Sequence, residues 1–100
     1  MVQATTPTFV LTLPETVDLT LAQNVVFTIV QGSLKIVKTT SELTYTERVV
    51  SVYLTQEETL QFTKGTARLQ LNWTYSNGER ACSNIVNVEV SPNLLTEVLE

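Results

Sequence analysis

The sequence predicts an all-β fold, an immunoglobulin-like antiparallel sandwich with one short helical turn near 55–62. Three observations carry this. Apolar residues alternate with a second set at period two along five separate runs, which places one side of each run on a core and the other towards water. Val and Thr, both strand formers, recur throughout. Turn residues separate the runs, and no βαβ rhythm appears between them.

The first strand is Thr8–Leu13, with Phe9, Leu11 and Leu13 on one phase and Pro14-Glu15 ending it. The second places Val25, Phe27 and Ile29 inward, and Gly32-Ser33 separates it from a short strand over Leu34–Lys38. Leu43–Thr46 reads as a weaker strand. The next run alternates Val50, Val52 and Leu54 with Val49, Ser51 and Tyr53. Ala67, Leu69, Leu71, Trp73 and Tyr75 mark the longest strand, and Val86, Val88 and Val90 the last. Asn77-Gly78 predicts a type I′ turn joining Thr66–Tyr75 to Arg80–Val90 as a long hairpin. The phase near Ala81–Ile85 is ambiguous, and a β-bulge would account for it.

One segment departs from the β pattern. Thr55-Gln56-Glu57-Glu58 fits a capping box and predicts one or two helical turns over Thr55–Phe62, with Leu60 and Phe62 tucked onto the sandwich edge. Residues 1–91 then form the sandwich, and residues 92–100 an apolar C-terminal tail. Leu94, Leu95, Val98 and Leu99 are too apolar for a frayed end and are expected to pack back or meet a partner. Tyr53, off the core phase, joins them as a candidate contact residue; with Val49 it would make an exposed apolar patch.

The 100 residues suit one domain. The net charge is −4, and the six Lys and Arg are scattered along the sequence, which argues against nucleic acid as a partner. Met1–Pro7 lacks the basic start and apolar block of a secretory leader, and no apolar run approaches the length of a membrane span. Asn72-Trp73-Thr74 fits the N-glycosylation pattern but falls mid-strand.

Catalysis is not expected. There is no histidine, which removes the commonest general base and transition-metal ligand. The three glycines are isolated, so no phosphate-binding loop exists. Asp18 is the only aspartate, so no calcium loop is present. Glu57-Glu58 reads as acidic residues in a first helical turn. Cys82 cannot form an intrachain disulfide and is expected to pack as a small buried hydrophobe. No catalytic residue, cofactor, metal or small-molecule ligand is therefore expected.

Three phrases in order suggest a family. Thr6-Pro7-Thr8-Phe9 opens a strand, Leu54-Thr55-Gln56-Glu57-Glu58-Thr59 follows a middle strand as a helical turn, and Ser83-Asn84-Ile85-Val86-Asn87-Val88 closes the last strand before a Leu-rich tail. From about Thr5 to Leu99 this resembles small immunoglobulin-like domains of phages and prophages of Gram-positive bacteria, typified by the N-terminal domain of the baseplate upper protein. The long C-terminal extension of full baseplate proteins has no counterpart in the sequence. The resemblance implies a non-enzymatic structural protein of a phage virion (tail, baseplate, neck or capsid decoration), assembled in the bacterial host cytoplasm. Its expected partners are other virion proteins and further copies of itself, with no membrane involved. The alternative is a carbohydrate- or receptor-binding module in which Trp73, Tyr75, Tyr45 and Tyr53 supply stacking surfaces.

Overall fold

The computed structural model describes residues 1–99. Its elements run β1 (Thr8–Thr12), β2 (Ala22–Gln31), β3 (Leu34–Lys38), β4 (Thr44–Tyr45), β5 (Val49–Tyr53), α1 (Gln56–Leu60), β6 (Gly65–Tyr75), β7 (Arg80–Cys82) and β8 (Val86–Val90). They build two antiparallel sheets. The small one has the order β1-β5-β4; the large one has β3-β2-β6, with β7 and β8 following one another along the far side of β6. This is the immunoglobulin order B-E-D against C′-C-F-G. Among the described residues, no A strand lies on the free side of β1.

The core forms where the inward phases of the two sheets meet. Val25, Phe27 and Ile29 stand opposite Trp73, Leu71 and Leu69 within the large sheet. All six are buried, and Val50, Val52 and Leu54 cover them from the small sheet. Phe9 stacks on Phe27 across the layers, ring centroids 6.2 Å apart. Each fully buried side chain of this size contributes about 1.5–3 kcal/mol.

Two turns differ in mechanism. Gly32 (φ 57°) takes the first central position of the two-residue β2–β3 loop, as in a type II′ turn. The β6–β7 hairpin is not the expected type I′ form, because Asn77 does not take positive φ. Instead the Gly78 N–H donates to the Tyr75 carbonyl at 3.0 Å, and the Tyr75 N–H donates to the Glu79 carbonyl at 2.9 Å. Gly78 alone is left-handed (φ 90°), giving a three-residue loop with a glycine bulge. The Asn77 side chain accepts from the Glu79 N–H at 3.0 Å instead of supplying a backbone twist.

One flank of the sandwich is closed by the β3–β4 connection and α1. The capping box forms as expected: the Thr55 hydroxyl accepts from the Glu58 N–H (3.2 Å), and Glu58 accepts from the Thr55 N–H (2.9 Å). Phe62 is fully buried just after the helix. Lys38, at the end of edge strand β3, sits on the inward phase opposite Phe27. Its ammonium escapes sideways to Glu58 at 2.7 Å, riveting β3 to α1. Thr40 continues the seal, since its hydroxyl accepts from the Val25 N–H and donates to the Val25 carbonyl, where β3 no longer reaches.

Candidate interaction site

The opposite flank is open. The register puts Phe9 and Leu11 opposite Val52 and Val50, and the flanking bonds run from the Leu54 N–H to the Pro7 carbonyl (3.1 Å) and from the Leu13 N–H to the Arg48 carbonyl (2.7 Å). Odd-numbered residues of β1 therefore bond to β5. Antiparallel pairing alternates, so the N–H and C=O groups of Thr8, Val10 and Thr12 point to the free side. The strand, Thr-Phe-Val-Leu-Thr, holds no charge and no proline, the usual guards of an exposed edge.

Beneath this edge lies a groove of about 660 Å³ between β1 and the β7–β8 side of the large sheet. Leu11, Leu13 and Val17 line one wall, and Trp73, Ala81 and Val86 the other. A bulge shapes the second wall. Trp73 pairs with Ala81 on one side of it and Leu69 with Val86 on the other, a slip of one residue. Ser83 holds the bulge: its N–H donates to the Leu71 carbonyl and its hydroxyl accepts from the Leu71 N–H, both at 2.9 Å. Of the expected inward set on β8, only Val90 is buried; Val88 is partly covered and Val86 is exposed, because no strand faces them across the groove. Cys82 is exposed and not buried as expected, since it stands opposite outward-facing Asn72.

One end of the groove is stopped by the N-terminal residues. The Met1 ammonium donates to the Glu89 carbonyl (2.7 Å), the Ser91 N–H to the Met1 carbonyl (2.8 Å) and the Gln3 N–H to the Ser91 carbonyl (3.0 Å). The chain thus starts along the large sheet and crosses to the small one at Ala4, whose φ of 62° is left-handed. Such a conformation costs a non-glycine residue about 1–2 kcal/mol. The crossing is pinned by Thr59, a fully buried hydroxyl that donates to the Thr5 carbonyl at 2.8 Å. Periodicity gives no signal for Thr59, because its partner lies 54 positions away in sequence.

The expected contact residues are exposed. Tyr53 is 53% accessible; Val10, which is not among the expected contacts, is 63% accessible, and both lie on the outer face of the small sheet with Thr8, Thr12 and Ser51. Val49, the other half of the expected patch, is only partly exposed. The tail is tied back through polar groups. The Gln56 side-chain amide donates to the Leu99 carbonyl (2.8 Å) and accepts from the Leu99 N–H (2.9 Å), and Asn93 donates to the Gln3 carbonyl (3.0 Å). The side chains of Leu94, Leu95, Val98 and Leu99 stay exposed. Glu100, the last residue of the expected tail, lies outside the described residues.

The aromatic residues do not share one surface. Trp73 is buried and donates from Nε1 to the Tyr75 hydroxyl at 3.1 Å, and Tyr45 and Tyr75 pack against the core. Only Tyr53 among the four is exposed. Among the described residues, no three Cys, Asp or Glu side chains gather as a metal site, and no helix is long and apolar enough to cross a membrane. Fold and flank together define an immunoglobulin-like β-sandwich with one edge unguarded. Compared with protein families, with curated proteins and with solved structures, the chain matches none.

Proposed function

We propose that this chain is a non-enzymatic structural module that works by protein–protein contact, as a component of a phage virion. The observation that carries the contact role is the free edge of β1 above an apolar groove. An extended segment laid along Thr8, Val10 and Thr12 would gain main-chain hydrogen bonds, and its alternate side chains would fill the groove. The exposed Tyr53 and the tail leucines add apolar contact area at the end of the sandwich where α1 begins. The virion assignment is supported by the likeness of the alternation pattern and of three short phrases, in their order along the chain, to phage immunoglobulin-like domains. The carbohydrate- or receptor-binding alternative has Tyr53 as its exposed stacking residue.

Absolute mass by light scattering after size exclusion tests the contact role on three chains: full length, ended at Pro92, and Val10→Pro. Proline at Val10 removes an N–H that points away from β5, a position where an edge strand tolerates it. The reading expects an oligomer of the full chain that is weakened by at least one of the two changes. A folded monomer in all three, with no binding to purified virion components, would overturn it.

A further inference from the structure

The outer face of the large sheet departs from the charge of the rest of the molecule. The register turns Lys35, Arg68 and Arg80 to this face together with Asn24, Val26, Thr28, Val37, Asn72 and Thr74. The cations that are scattered in the sequence are thus gathered in space. Against these three stands one carboxylate strand residue, Glu89, opposite Thr66 at the far end. The other three cations of the chain share the remaining nine acidic residues. Among the described residues, both ion pairs belong to Lys38, so Lys35, Arg68 and Arg80 neutralise no carboxylate of their own chain.

The face is shaped as well as charged. A recess of about 420 Å³ runs between Lys35 and Val37 on one side and Arg80 on the other, with Val26 and Asn72 in its floor. A second recess of about 140 Å³ adjoins Arg68 and Ile85. Arg80 is held in place rather than trailing in solvent: its Nε and Nη2 both donate to Asn72 Oδ1, at 3.3 and 3.1 Å. Its remaining N–H groups are free to take a carboxylate in the two-pronged geometry that arginine favours. Asn24 is likewise fixed, donating to the Thr74 hydroxyl at 3.2 Å. No aromatic side chain is exposed on the face, so a sugar ring has no stacking platform there.

We propose that this face docks an acidic segment of a partner protein, with Lys35 and Arg80 taking its carboxylates and Val26 and Val37 its intervening apolar atoms. Charge complementarity selects the partner, since a net-positive patch on a net-negative molecule steers acidic surfaces to one face in one orientation. The inference rests on the contact-module reading but uses a different surface from the β1 edge.

The test is titration of the ¹⁵N-labelled full chain with poly-L-glutamate, followed by amide chemical shifts. Saturable shifts centred on Thr28, Lys35, Asn72 and Arg80 are expected, with affinity falling severalfold between low and physiological salt. Lys35→Ala and Arg80→Ala should each weaken binding about three- to tenfold. Lys64→Ala, off the face, should leave it unchanged. Absence of saturable binding at low salt, shifts centred elsewhere, or an equal loss in Lys64→Ala would overturn the proposal. So would polygalacturonate or duplex DNA binding as tightly as polyglutamate. Oligomer formation that depends on β1 or the tail is read separately, so either claim can fail alone.

Discussion

The two flanks of the sandwich face the same problem, the exposed edges of two sheets, and only one is solved within the chain. On the β3–β4 side, α1 and the Lys38–Glu58 pair cover the core, and the Thr40 hydroxyl occupies the Val25 N–H and C=O. On the β1 side the wall is apolar, the edge is bare, and Val86 faces the groove. The closed flank spends polar side chains on internal bonds, whereas the open flank leaves apolar ones for a partner. Stability should therefore concentrate on the closed side and association on the open side.

The sharpest test of that contrast is Phe62→Ala. Phe62 is fully buried where α1 meets the core, so its loss should cost about 3–5 kcal/mol in urea unfolding. A cost below about 1 kcal/mol would show that the closed flank does not hold the fold. Thr59→Val comes next. It keeps the shape but removes the donor to the Thr5 carbonyl, and about 1–2 kcal/mol should be lost.

Glu58→Gln probes the rivet itself. Burial pushes the Glu58 carboxyl up, but the Lys38 hydrogen bond, the Thr55 N–H and the Lys38 charge outweigh it, so the group lies below the ordinary glutamate value. A lowered folded value means that its stabilisation is complete above the unfolded value, about 4.3, and fades as pH falls through the folded one. Wild-type stability should thus drop below about pH 4.5, with a shallower drop in Glu58→Gln. At pH 7 the variant should lose about 1 kcal/mol, because the pair is partly solvated. Identical pH profiles for the two chains would remove the pair from the account. Smallest of all, Val86→Thr on the open flank should change stability by less than about 0.5 kcal/mol. A large loss there would mean that the groove wall is part of the core.

What was legible in the sequence was whatever depends on neighbours along the chain. Period-two alternation placed Val25, Phe27, Ile29, Val50, Val52, Leu69, Leu71 and Trp73 on the core side, because successive side chains of a strand must point to opposite faces. The capping box at Thr55 and Glu58 was equally readable, since both partners lie within one helical turn. The hairpin at Asn77-Gly78 was readable as a turn, but its class was set by the register, in which Tyr75 stands opposite Glu79 and leaves a three-residue loop.

Tertiary structure alone decided the rest. Whether an inward-phase residue is buried depends on what stands across from it, and Val86 has no strand across from it while Val90 does have cover. Cys82 went outward because the bulge after it resets the phase, and its own strand lies opposite Asn72. The gathering of Lys35, Arg68 and Arg80 required β3, β2, β6 and β7 to lie in that order across one sheet, an arrangement that no spacing along the chain encodes. The open flank is a property of strand order, set by which edge of the small sheet β5 and β4 leave uncovered. Local pattern determines which way a side chain points; only the assembled sheets determine what it meets there.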